Sequence, residues 1–431
     1  MSAKSSPQHR IAYIDMMKGI ACQIMVFAHA ITMNFGALSV PEKAFFTFII
    51  YPAGLFFLAS GVNVVLFFEK SRGREGFQAS RFFLMAALVL FVLSLPYSIN
   101  RNNLFVPQIF QGIAATYAAT YLLLRARLSN TWLVVIAFAS YLLWFGVWYS
   151  VAGDIAALRH LDTREIFPAT LTWLKQLGPA HRFLFVNFAL FPWVSYMLTG
   201  AAWYRSNRDH PEHLWRWVAL FCACLGVGVS SIAVGALDQP LLLDNFADML
   251  MRNVPVHFFS WMGLNGLTAI AFARWYRGTD HFANSRVRWV LRYVEYTGKE
   301  SLMFFVWHWV ILFSASVLLH VLGIFTYLAD PPFKAHLTWI IAMPVVAWTL
   351  PKVVAFGKKW SQRRNFVYEV MTVWIVGSAF SLRLIKGRAD VPPAAFVLSL
   401  LASIAFAAFY PVARQILRER YTVRPRTIRR K

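Results

Sequence analysis

Apolar residues in this chain come in long blocks rather than at the intervals of a half-buried helix or strand. From Ile11 to Ala413 such blocks recur, broken by short segments where charges, prolines or Gly/Asn clusters collect. A block of roughly 20 residues that is apolar all round is the mark of a bilayer-crossing helix, which satisfies its own backbone hydrogen bonds. Cutting at the breaks predicts twelve spans, near residues 11–33, 45–68, 82–98, 108–124, 132–150, 183–203, 214–235, 254–273, 299–320, 336–355, 367–385 and 394–413. The expected fold is therefore all-α, a polytopic integral membrane helical bundle of about 12 transmembrane helices. Residues 1–10 form an N-terminal segment, 11–413 the membrane domain and 414–431 a basic tail.

Composition excludes the main alternatives. With 58% hydrophobic and 14% charged residues over 431 positions, the chain is neither a soluble enzyme nor a disordered or collagen-like protein. Lys and Arg number 42 against 19 Asp and Glu, a net charge of +23. In a soluble protein that balance points to nucleic acid, whereas here it points to topology and anionic lipid, and no nucleic-acid partner is expected. The basic residues fall in alternate connections: 69–81, 125–127, 205–216, 274–292, 358–364 and the tail. By the positive-inside rule both termini are cytoplasmic. A miscounted helix would scatter the later clusters to both sides, so the alternation also supports twelve spans. The same rule puts the long Val151 to Arg182 connection outside, with room for a short interfacial helix. The aromatic residues are expected mainly at lipid-facing and interfacial positions. Cys22, Cys222 and Cys224 all lie in apolar runs and supply no disulfide framework. The first apolar run exceeds a signal-peptide core and reads as a retained span.

Ionisable residues at membrane depth are costly, so those inside the blocks carry the functional information. The first block, RIAYIDMMKGIACQIMVFAHA, holds Asp15, Lys18 and His29. At roughly 100° per residue, eleven steps return to within about 20° of the start and fourteen to within about 40°, so all three share one helical face. His29 lies about 16 Å beyond Lys18 along the axis. Such a stripe is either a snorkelling pair plus a hydrogen-bonded histidine, or the lining of a polar cavity. In a group-transfer enzyme a neutral imidazole is the side chain best matched to taking a proton from an attacking hydroxyl or amine near pH 7. His29 is then the candidate base, with Asp15 and Lys18 holding a polar network or meeting the arm of a donor. The ninth block, GKESLMFFVWHWVIL, places Lys299, Glu300 and Ser301 at its start and His308 about 10 Å deeper. Trp307 and Trp309 flank His308, which reads equally as a ligand contact or as a satisfied core histidine. Asn63, Gln108, Gln111, Asn187, Pro192 with Trp193, and His257 are weaker candidates, since amides and imidazoles often bond between membrane helices. No metal-ligand spacing, phosphate-binding glycine loop or haem signature is present.

These segments resemble the transmembrane acyltransferase superfamily, in particular the heparan-alpha-glucosaminide N-acetyltransferase-like proteins, with features of acyltransferase family 3 in the first span. The shared opening of a basic residue, Asp, Arg-Gly and an apolar run ending in His or Asn stands here as Arg10, Asp15, Lys18-Gly19 and His29. YPAGLFFLASGVNVVLF, QIFQGIAATYAATYLLL, NFALFPWVSYMLTGAAWYR and GKESLMFFVWHWVIL follow in matching order. Lys replaces the usual Arg and loses its planar fork. The heparan type has Asn at the His29 position and its functional His in the following loop, whereas Ala30 to Pro41 contains no histidine. The resemblance implies a membrane-embedded acyltransferase that moves an acyl group, acetyl from acetyl-CoA by default, to a glycan or glycolipid acceptor. It implies no bound cofactor, acyl-CoA as donor substrate, and a multi-pass location in a cell membrane, the inner membrane of a bacterium. His29, His308 and Asp15 become the expected catalytic residues, and Lys18, Glu300 and Ser301 the expected substrate-binding ones. Arg72, Arg74 and Arg127 are loop cations able to guide an anionic donor. The competing reading is a polytopic secondary transporter or flippase, which lacks a sequence echo between the two halves of this chain.

Overall fold

The computed structural model describes residues 11–33, 52–72, 77–95, 108–159, 166–234, 254–276, 287–327, 331–385 and 393–422. Within them every regular element is helical, apart from a lone antiparallel bridge between Phe77 and Thr422. The helices are α1 (Ala12–Met33), α2 (Pro52–Arg72), α3 (Ala79–Leu93), α4 (Ile109–Arg125), α5 (Asn130–Arg159), α6 (Ile166–Gln176), α7 (Pro179–Phe185) and α8 (Leu190–Asp209). They continue as α9 (Leu214–Val234), α10 (Pro255–Trp275), α11 (Arg288–Lys299), α12 (Ser301–Val321), α13 (Ile324–Tyr327), α14 (Pro331–Trp360), α15 (Phe366–Ile385) and α16 (Pro393–Arg420).

A helix falls within each of the twelve apolar blocks, and among the described residues seven are long and apolar enough to cross a membrane. The chain is a multi-pass, all-α membrane protein. Three differences from the sequence pattern matter. Residues 183–189 do not belong to one continuous helix, because α7 ends at Phe185 and α8 begins at Leu190, with Asn187 at φ 57° between them; a cis Phe191–Pro192 bond lies in the first turn of α8. An amphipathic helix, α11, directly precedes the ninth span and takes in the last part of the basic connection. The last helix runs through Arg420, so the start of the basic tail is structured: Gln78 N–H donates to the Tyr421 carbonyl at 2.9 Å, tying it to α3. In the Val151 to Arg182 connection α6 is the expected short helix, and Trp173 Nε1 donates to Asp154 at 3.2 Å. His160, Asp162 and Glu165 lie outside the described residues.

The ends that carry the basic clusters meet at one end of the bundle. Arg208 of α8 pairs with Glu69 of α2, Arg205 donates to the Leu128 carbonyl at 3.1 Å, and Lys358 of α14 lies 3.4 Å from Glu300. Close helix crossings hold the interior. A Cβ on Gly61 would meet the Met197 carbonyl and one on Gly200 the Leu58 carbonyl, so α2 and α8 touch backbone to backbone. The aromatic residues divide: Trp132, Tyr149 and Trp348 face outward, but the largest fully buried side chains, led by Trp144, Trp193, Trp203 and Trp261, are all aromatic. Aromatic rings therefore build the core as well as the lipid face.

Candidate active site

The site begins with the crossing of α1 and α11. A Cβ on Gly19 would strike the Val294 carbonyl, and one on Gly298 the Asp15 carbonyl. The Lys-Gly and Gly-Lys-Glu-Ser motifs thus meet because only glycine allows this approach. Gln23 Nε2 donates to Thr297 Oγ1 at 3.0 Å one turn further along. Helix α1 also packs on α2, α12 and α14, so its polar stripe is enclosed on several sides.

At the lower end of the stripe, Lys18 Nζ lies 3.0 Å from Asp15, and both residues are buried. Lys18 lines a cavity of about 350 Å³ with Ser60, Asn63, Tyr117 and Ser301. Lys299, Ser301, Tyr410 and Arg414 also line a neighbouring cleft of about 890 Å³ that reaches the basic end of the bundle. Five cations, Lys70, Lys299, Lys358, Arg414 and Arg418, face that cleft against the carboxylates Glu300 and Glu419. Glu300 and Ser301 accordingly lie beside Lys18's cavity, while Arg72, stacked over Phe68 at 5.4 Å, and Arg127 line neither space. Arg74 is outside the described residues.

At the upper end, His29 Nδ1 lies 2.8 Å from His308 Nε2 with the two rings nearly coplanar at 8°. His308 is fully buried, and its Nδ1 is 3.0 Å from the Phe304 carbonyl. A carbonyl only accepts, so His308 carries its proton on Nδ1 and offers the Nε2 lone pair. His29 Nδ1–H donates to it, which puts the second lone pair of the neutral pair on His29 Nε2. The arrangement is an imidazole whose tautomer is set by its contact with a buried second histidine. Trp309 lies against His29 with ring centroids 4.2 Å apart, and Phe305 meets it edge-on at 6.3 Å. The Trp309 Nε1–H is buried with no hydrogen-bond partner among the described residues. Trp307 turns away and donates to Thr349 at 2.7 Å.

The structure thus brings His29 to His308, and Asp15 to Lys18 beside Ser301 and Glu300, but it keeps the two groups apart along α1. The weaker candidates have structural explanations. Gln108 and Gln111 cap α4, the Asn187 carbonyl accepts from Trp193 Nε1 at 2.7 Å, and His257 stacks on Trp261 with centroids 5.1 Å apart. Asn63 alone faces the small cavity. Sequence reading missed Tyr117, Lys358, Arg414 and Arg418, whose positions follow from helix neighbours rather than from any motif.

The geometry, helical spans enclosing a histidine pair above a cationic cleft, can be set beside known families, and the comparison identifies a membrane enzyme of the acetyltransferase type. Residues 10–225 match the family described as heparan-alpha-glucosaminide N-acetyltransferase, catalytic. That is half of the chain, and the chain belongs to this family. No curated protein and no solved structure matches it. The match covers α1 to the middle of α9, so His29 and Lys18 lie inside it and His308, Lys299, Lys358 and Arg414 beyond it.

Proposed function

We propose that this protein transfers an acetyl group from acetyl-CoA to a glycan or glycolipid acceptor, with the basic end of the bundle in the cytoplasm, both termini on that side and twelve spans in all. The donor's phosphates sit among Lys299, Lys358, Arg414 and Arg418, because a cleft with more cations than carboxylates concentrates an anionic nucleotide. Its pantetheine arm extends past Lys18 along the α1 stripe. The interval from Lys18 to His29, about 16 Å along the helix axis, is within the reach of such an arm. His29 Nε2 takes the proton from the acceptor's attacking hydroxyl or amine. The Nδ1–H to His308 bond then stabilises the imidazolium that forms, as an orienting group does for any base of this kind. The Trp309 indole N–H is the donor offered to the oxygen that becomes negative as the thioester carbonyl turns tetrahedral. The proton on His29 leaves with the CoA thiolate.

The observation that carries this reading is the His29–His308 hydrogen bond, which fixes a base lone pair deep in the bundle. Among the described residues nothing favours a transporter. Incubating purified protein with radiolabelled acetyl-CoA and candidate membrane glycans tests the function: labelled glycan is the expected product, and unmodified glycan accumulating across a vesicle membrane is the transporter's. Single cysteines labelled by an impermeant reagent in intact cells test the orientation. Positions in 69–81 should stay unreacted and positions in 166–176 should react.

A further inference from the structure

The turn between α8 and α9 carries a second constellation, outside the apolar blocks. Its sequence is His210-Pro211-Glu212-His213, a spacing that matches none of the common zinc patterns and shows no ligand cluster when read linearly. Folding changes that. A 3₁₀ turn, Pro211–His213, gathers the three donor side chains on one side. His210 Nδ1 is 3.1 Å from the Glu212 carboxylate, and His213 Nε2 is 4.0 Å from the same oxygen. One nitrogen from each ring and that carboxylate lie within 4.8 Å of one another, and the ring centroids are 5.2 Å apart.

A tetrahedral ion with bonds of about 2.0–2.2 Å sets its ligand atoms roughly 3.4 Å apart. The His210–Glu212 separation already fits, and His213 needs a side-chain shift of about 1 Å to meet that geometry. The backbone beneath is fixed, since His210 N–H donates to the Ser206 carbonyl at 2.7 Å and His213 N–H to the His210 carbonyl at 3.0 Å. Pro211 restricts the turn further. All three residues reach solvent, so an ion arrives from bulk water without opening the bundle.

We propose that His210, Glu212 and His213 bind one divalent transition-metal ion of the zinc, cobalt or nickel class, with water completing the shell. Two imidazoles and one carboxylate suit these ions and not Mg²⁺ or Ca²⁺, which take oxygen ligands. The neighbouring Arg208 pairs with Glu69 of α2 and lies 2.8 Å from Asp209, so a bound ion braces the α8–α9 connection where it abuts α2. This site is independent of acyl transfer.

The test uses the purified full-length chain, with any histidine tag removed, titrated with Co²⁺ by visible absorption and with Zn²⁺ by calorimetry. One equivalent of Co²⁺ should give d–d bands that Zn²⁺ abolishes. Both signals should vanish in His210→Ala/His213→Ala, and calorimetric affinity should fall at least tenfold in Glu212→Gln. His213→Asn, a milder change on an exposed turn, guards against misfolding and should also lose the Co²⁺ bands. No saturable binding by the wild-type protein, or equal binding by wild type and all three variants, overturns the proposal.

Discussion

The two ends of the α1 stripe solve opposite problems. Around His29 and His308 the surroundings are aromatic and apolar, and the buried acceptor for His29 Nδ1–H is a single atom, His308 Nε2. Lys18 faces a hollow, and the cleft next to that hollow is cationic, with Lys299, Lys358, Arg414 and Arg418 contributed by three further helices. The first region depends on the His29–His308 hydrogen bond and its tautomer. The second depends on a summed charge, to which buried Lys18 contributes more than each solvent-reached cation. Substitutions should therefore act steeply and specifically in the first and gradually in the second.

Breaking the frame that both regions share gives the largest effect. Gly298→Val places side-chain atoms where the Asp15 carbonyl already sits, and overpacking against backbone is not relieved by a rotamer change. Loss of monodisperse protein in detergent is expected, whereas Gly146→Ala, at a glycine with open space around it, should purify normally.

Next comes His308. His308→Leu removes the acceptor for His29 Nδ1–H and should lower turnover by about 10² to 10⁴ while the donor KM stays near normal. His308→Gln retains an acceptor oxygen and a donor for the Phe304 carbonyl, so it should recover part of that loss. Equal defects in the Leu and Gln variants would mean that His308 serves packing alone.

The cleft should respond more softly. Lys18→Arg keeps the charge beside Asp15 and much of the activity, whereas Lys18→Met should raise the donor KM by about tenfold or more, the scale of one charged hydrogen bond. Arg414→Gln and Lys358→Gln, at solvent-reached positions, should each raise it only about two- to fivefold. Added salt should mimic those changes in the wild-type protein. If donor KM is indifferent to all three positions and to salt, the cleft does not hold the nucleotide.

How much of this was legible in the sequence follows from what each feature depends on. The common face of Asp15, Lys18 and His29 needs only helix geometry, and the apolar blocks announce their helices through length alone. That His29 meets His308 depends on α1 and α12 being neighbours, a fact of tertiary packing that no local pattern encodes. Arg414 and Arg418 were hidden for another reason: the positive-inside rule accounts for a basic tail equally well, so charge alone could not distinguish a cleft-lining residue from a topology signal. The cations Arg72 and Arg127 illustrate the converse, being basic and in basic loops but lining neither space. The glycines of both motifs read as family marks in sequence and acquire a cause only when α1 and α11 are seen to cross.

The account rests on His29 as the base. Its most direct test is acetyl transfer to the glycan acceptor by His29→Ala, measured alongside CoA binding to the same preparation. Turnover should fall by about 10² to 10⁴ with CoA affinity within about twofold of wild type. Near-normal turnover in a folded His29→Ala protein that still binds CoA would contradict the account and move the proton-accepting group elsewhere in the bundle.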